Sequence, residues 1–155
     1  MTSADHRLCR FVSTGAILAL VLLLTSCTKS ANADEAAVRS FLESYFSTWS
    51  VQMMDRYGEC FDPRARITYV GKDGMVQTDG VTDFLHGQKL AHAQSKVPMS
   101  ESPTEMKITY DSRVTIASVR WKLTKGSEIV TGTDCFTLIK TEKGWKIISL
   151  VFYND

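Results

Sequence analysis

The stretch Asp134-Cys135-Phe136-Thr137-Leu138-Ile139-Lys140, then Thr141-Glu142-Lys143-Gly144, then Trp145-Lys146-Ile147-Ile148-Ser149-Leu150-Val151-Phe152-Tyr153 decides the fold class. Two β-rich apolar runs flank a short polar segment ending in Gly, which is the pattern of a hairpin. The pattern repeats toward the N-terminus. Lys125-Gly126 separates the run from Ile129 to Lys140 from the run over Val114 to Leu123. Asp111-Ser112 separates that run from Met106, Ile108 and Tyr110, which alternate with polar residues. Four strands joined by tight turns predict an antiparallel meander. In the last strand, strict alternation puts Trp145, Ile147, Val151 and Tyr153 on one face and Ile148, Leu150 and Phe152 on the other. A sheet with one wet face carries polar residues on that side. This strand is therefore expected to be covered twice, by helices on one face and by a second copy of the chain on the outer one.

Upstream the period changes to that of a helix. Val38, Phe41, Leu42, Tyr45, Phe46 and Trp49 form one apolar stripe, and Asn32 with Glu35 suits its start. Ser50 is placed to cap a second helix with Met53, Met54, Tyr57 and Phe61 on its inner face, ended by Asp62-Pro63. Ile67, Tyr69 and Val70 read as a short strand that turns at Gly71-Lys72-Asp73-Gly74 into a return strand over 75–78. Asp79-Gly80 opens a third helix with Val81, Phe84, Leu85 and Gln88 on one side. Residues 94–104, with Pro98 and Pro103, read as a loop. Three helices followed by a meander give an α+β fold with the helices against one sheet face.

The first 26 residues read differently. Arg7 and Arg10 precede an almost uncharged run over 11–24, too short to span a bilayer as a helix, which is the layout of an export signal. Leu24-Thr25-Ser26-Cys27 resembles a bacterial lipobox, so residues 1–26 are expected to be removed and Cys27 acylated. Residues 27–34 would form a lipidated tether, and 35–155 one domain. Thr28, where the retention signal of lipoproteins has Asp, points by that resemblance to the outer membrane, on the periplasmic side. Of 18 basic and 17 acidic side chains, Arg7, Arg10 and Asp5 fall in the leader, leaving 16 of each. That balance argues against a nucleic-acid partner. Cys60 and Cys135 would lie in a compartment that permits disulfides; they read either as a pair or as two separate thiols, with slight preference for the latter. Cys60, His86, His92 and Cys135 lack close ligand spacing, so no metal or other cofactor is expected.

From residue 35 to 153 the chain resembles the nuclear transport factor 2-like superfamily, particularly its SnoaL-like and ketosteroid-isomerase-like members. The carriers are the aromatic first helix ending at Trp49, Met54-Asp55-Arg56-Tyr57 leading to Phe61, Gly80-Val81-Thr82-Asp83-Phe84, and Phe136-Thr137-Leu138-Ile139 with Gly144-Trp145-Lys146-Ile147. The resemblance implies a cone, with three N-terminal helices packed in a strongly bent, mostly antiparallel sheet around a pocket, and dimers formed through the outer sheet face. It also implies roles. Isomerases of this kind use a first-helix Tyr to stabilise an oxyanion, a first-strand Asp to move a proton, and a late-strand carboxyl as second donor. Counting from Phe61, Tyr45 matches the first, Tyr69 stands at the second, and Thr137 is nearest the third. A phenol is a poor base near neutral pH, so that chemistry is not expected by this route. The dehydratase branch pairs two His with an Asp, but His86 and His92, six apart on one helix, face different directions.

Tyr45, Trp49, Tyr57, Tyr69, His86, Trp121 and Thr137 are thus the pocket candidates, and Tyr45, His86 and Asp134 the candidates for catalysis. Trp49, Tyr57 and Trp121 are more often core than ligand-stacking residues, His86 reads first as a solvated helix residue, and Asp134 as lying either on an exposed face or in a pocket. Two function classes follow: a lipid-tethered domain that binds a small apolar ligand or partner protein without catalysis, or a small-molecule isomerase or lyase. The missing base favours the first. Two titratable groups converging in an apolar cavity would favour the second.

Overall fold

The computed structural model describes residues 34–111 and 113–155. The leader, Asn32 and Cys27 lie outside them. The first helix, α1, covers residues 34–50. Then come α2 (Met54–Glu59), β1 (Phe61–Val70), β2 (Val76–Gly80), α3 (Val81–Gln94), β3 (Met99–Tyr110), β4 (Thr115–Lys125), β5 (Glu128–Thr141) and β6 (Gly144–Asn154). The strands form one strongly curled sheet in the order β2-β1-β6-β5-β4-β3. The meander from β3 to β6 is antiparallel throughout, and so is the β1–β2 hairpin. The two blocks are joined by a parallel pairing of β1 with β6. The result is the expected α+β architecture, with helices against the concave face of a mixed sheet.

The stripe on α1 is the centre of the core. Val38, Leu42, Tyr45, Phe46 and Trp49 are all buried, and they meet Phe136, Leu138, Ile147 and Leu150 from the sheet. Burying a side chain of this size contributes about 1.5–3 kcal/mol, so the stripe fixes the helix on the sheet. Asp34, in the first turn of α1, accepts from Tyr110 Oη (2.9 Å) and Lys140 Nζ (2.6 Å), tying that helix end to β3 and β5.

Several local expectations change. Phe61 opens β1 rather than closing α2, and Met53 is exposed. Pro63 does not end a helix. It lies in β1 where the pairing with β6 shifts between Phe61 and Arg66, a bulge where a missing N–H costs nothing. Most of the 94–104 loop is strand. Pro103 is accommodated because β3 is an edge strand and its register shifts between Pro103 and Glu105. Ser50 caps nothing on α2, whose N-cap is Met53. Instead its hydroxyl accepts from the Glu101 N–H (2.8 Å) and lies 2.9 Å from the carbonyls of Phe46 and Glu101.

The last strand also departs from strict alternation. Its register with β5 shifts between Thr137 and Leu138, leaving Ile148 without a partner across the ladder. The extra residue reverses the phase. Trp145, Ile147 and Leu150 are all buried, and Phe152 packs against the same core. One inner face thus takes residues that strict alternation divides between two. Cys60 is buried, Cys135 is exposed, and both are free thiols.

Candidate functional site

A cavity of about 150 Å³ lies between the helices and the inner face of the sheet. Tyr45 and Trp49 reach it from α1, Tyr57 from α2, and Phe84 and Gln88 from α3. The sheet supplies Glu101 from β3, Trp121 and Leu123 from β4, Asp134 from β5, and Leu150, Phe152 and Asn154 from β6. A more open hollow adjoins it and shares Phe84, Gln88 and Phe152. Its other walls include Tyr69, Gln77, Asp79 and Asp83.

Hydrogen bonds fix the polar groups. The Tyr57 hydroxyl donates to that of Tyr45 at 2.7 Å, with ring centroids 4.7 Å apart. The Trp121 indole N–H donates to Asp134 Oδ1 at 2.7 Å, and the Trp49 indole N–H donates to Gln88 Oε1 at 2.8 Å. Ser50 clamps the backbone of Glu101, so the end of α1 aims a side chain of β3. The Glu101 carboxyl makes no hydrogen bond to any described residue and keeps some exposure to the cavity.

Burial governs the electrostatics. It pushes the Glu101 carboxyl up to about 8, with the charge of Asp134 adding to the effect. It raises Asp134 to about 7, against the Trp121 N–H, which favours the carboxylate. Two such neighbours lose their protons in steps that belong to the pair. Near pH 7 the cavity therefore holds at least one proton that an exposed pair of carboxyls would have lost. Burial, with the nearby acidic groups adding, raises both Tyr45 and Tyr57 well above the usual phenol value, so both stay neutral donors.

Of the residues singled out from sequence, Tyr45, Trp49, Tyr57, Trp121 and Asp134 share the inner cavity, and Tyr69 faces the adjoining hollow. His86 is exposed on α3 and lines neither. Thr137 lies outside both, paired with Ile116 and Ser149, and its phase on β5 is opposite to buried Asp134, Phe136 and Leu138. A late-strand carboxyl does reach the cavity, that of Asp134, three residues before Thr137. Glu101 had no place in the sequence reading because prolines on either side suggested a loop. The signal was the alternation Met99, Glu101, Pro103 with polar residues between. His92 packs its ring 4.3 Å from that of Trp49, and desolvation lowers its pKa. Among the described residues, no group of three or more His, Cys, Asp or Glu is placed to hold a metal ion.

A curled sheet closed by three helices over an acid-bearing aromatic cavity defines an α+β cone of the nuclear transport factor 2-like class. The family model described as "NTF2-like protein (DUF6841)" matches residues 34–155, and the chain belongs to that family. No curated protein matches it. Solved structures share the fold at low identity. The Rv3472 protein of Mycobacterium tuberculosis, of unknown function, is 20% identical with a TM-score of 0.70, over 83% of this chain and 75% of that one. A putative scytalone dehydratase from Novosphingobium aromaticivorans is 13% identical with a TM-score of 0.68, over 83% and 88%. An NTF-2 like protein of unknown function from Shewanella oneidensis is 16% identical with a TM-score of 0.62, over 77% and 98%.

Proposed function

We propose that the domain is a cofactor-independent acid–base catalyst, an isomerase or lyase acting on a small, largely apolar molecule. One observation carries this reading: Glu101 and Asp134 converge with Tyr45 and Tyr57 in a single aromatic cavity. The non-catalytic reading rested on a missing base at Tyr69, and Glu101 fills that role from another strand. Glu101, unpartnered and partly open to the cavity, takes a proton from substrate carbon. Tyr45, supported by Tyr57, donates to the oxygen on which charge develops. A carboxyl with a pKa near neutrality transfers protons in either direction at little cost. A putative scytalone dehydratase is among the structural neighbours, and a dehydratase is a lyase, one of the two proposed classes.

The test is exchange of the α-hydrogens of 2-cyclohexenone for deuterium, followed by NMR at pD 7.5. Wild-type protein is expected to accelerate exchange, and Glu101→Gln to reduce the protein-dependent rate at least about a hundredfold, the usual size of a general-base contribution. Equal rates for the two proteins would sink the assignment. Binding of the ketone without exchange would make the domain a carrier.

We also propose that the catalyst works at the bacterial cell envelope, anchored through acylated Cys27. Cells fed labelled palmitate are expected to label the wild-type chain and leave Cys27→Ser unlabelled. Equal labelling of the two would remove the anchor.

A further inference from the structure

The two hollows share one electrostatic property. Neither is lined by a Lys, Arg or His side chain, while acidic groups stand at both depths: Asp79 and Asp83 in the outer hollow, Glu101 and Asp134 in the inner one. The nearby His92 is packed against Trp49, and burial disfavours its charged form. Between the carboxyls the walls are rings, from Tyr45, Trp49, Tyr57, Phe84, Trp121 and Phe152. Aromatic faces attract cations, most strongly where water is excluded.

We propose that this cavity selects a small organic cation, an ammonium group on an apolar or aromatic body, which passes Asp79 and Asp83 and rests its charge between Glu101 and Asp134. An anion would meet only like charge. A neutral molecule can at most donate a hydrogen bond to the Glu101 carboxyl and brings no charge opposite to the two acids. An ammonium group supplies donors to that carboxyl and a charge opposite to both acids. The acidic outer hollow focuses the field along the approach and speeds the encounter.

This inference uses the same cavity as the proposed reaction and rests on its being the ligand site. It adds a consequence. Burial raises the pKa of both carboxyls, the charge of Asp134 adds to it at Glu101, and a cation between them opposes that effect. Binding of the cation therefore expels a proton and raises the share of Glu101 present as the carboxylate. The phenols of Tyr45 and Tyr57, which stay neutral, release no proton in this step.

The test is calorimetric titration of the full chain in detergent with three probes of one skeleton: 2-phenylethylammonium, 2-phenylethanol and phenylacetate. The ammonium is expected to bind on the order of tenfold more tightly than the alcohol, and phenylacetate not to bind. At pH 7 the ammonium heat should vary with buffer ionisation enthalpy, reporting proton release. Glu101→Gln, and independently Asp134→Asn, should bring ammonium and alcohol affinities together. A double change of Asp79→Asn and Asp83→Asn should slow ammonium association and flatten its salt dependence. The idea is overturned if the alcohol binds as tightly as the ammonium, if no probe binds, or if both single variants keep the preference. None of these readouts involves turnover. Cation preference without α-proton exchange sinks the proposed reaction alone, and exchange without preference sinks the cation site alone.

Discussion

Gly132→Ala is expected to destabilise the domain by about 3 kcal/mol, at the upper end of the range for overpacking a tight site. A Cβ at this position would lie 2.3 Å from Trp121 Cζ2, 2.7 Å from Trp121 Cη2 and 2.3 Å from the carbonyl oxygen of Tyr153. The Tyr153 contact is with backbone in the neighbouring strand, which moves only if the β5–β6 ladder opens. The Trp121 contacts are with a buried ring whose N–H is committed to Asp134. Relief in either direction therefore damages the site as well as the sheet. Thermal unfolding should show a midpoint lowered by roughly 10–20 °C. Gly87 in α3 is the control. A Cβ there meets nothing within 4 Å, so Gly87→Ala should raise stability by up to about 1 kcal/mol. Equal melting of Gly132→Ala and wild type would show that Trp121 does not press on the strand as described.

The second large effect has the opposite sign. Asp134→Asn is expected to stabilise the protein at alkaline pH. Burial lifts the folded pKa of Asp134 to about 7, whereas an unfolded Asp titrates near 3.9. Between those values the folded chain holds a proton that the unfolded chain has released, so wild-type stability falls as pH rises from about 4 through the folded value. Below the unfolded pKa the penalty is absent; above the folded one it is complete. Asparagine keeps the acceptor for Trp121 and carries no charge. Its advantage should be small at pH 4 and grow to on the order of 3 kcal/mol by pH 8 to 9. Removing the Asp134 charge also relieves Glu101, so the variant should show a lower carboxyl pKa at that site. Denaturant melts across pH 4–9 measure the first effect. A constant difference at all pH values would mean that Asp134 does not titrate as a buried acid. A site that stores this cost in the wild type is common where function requires a perturbed group.

Legibility in the sequence followed the range of the interactions involved. The α1 stripe and the hairpin turns at Lys125-Gly126 and Glu142-Lys143-Gly144 depend on neighbours a few positions apart, and those elements could be read directly. Asp134 carried a usable signal. Counting in twos from Phe136 and Leu138 turns it inward, although one strand alone does not say which side is roofed. Glu101 was hidden because prolines argue against regular strand, an argument that fails at a sheet edge where no ladder partner is required. Thr137 was misplaced by counting along the chain toward a spatial position, and His86 was kept although its helix presents it to solvent.

The sequence by itself determined the α1 helix and its apolar side, the strands of the last two hairpins and where the meander turns, because periodicity and turn chemistry act within a few residues. Only the tertiary structure decided the rest. The parallel seam between β1 and β6 joins distant segments. The bulge at Ile148 reassigns Leu150 and Phe152 to the inner face, since one extra residue reverses a two-residue period. The meeting of Glu101 with Asp134 arises from curling a six-stranded sheet around α1. That curl brings two carboxyls from different strands into one largely aromatic cavity, where burial changes their chemistry.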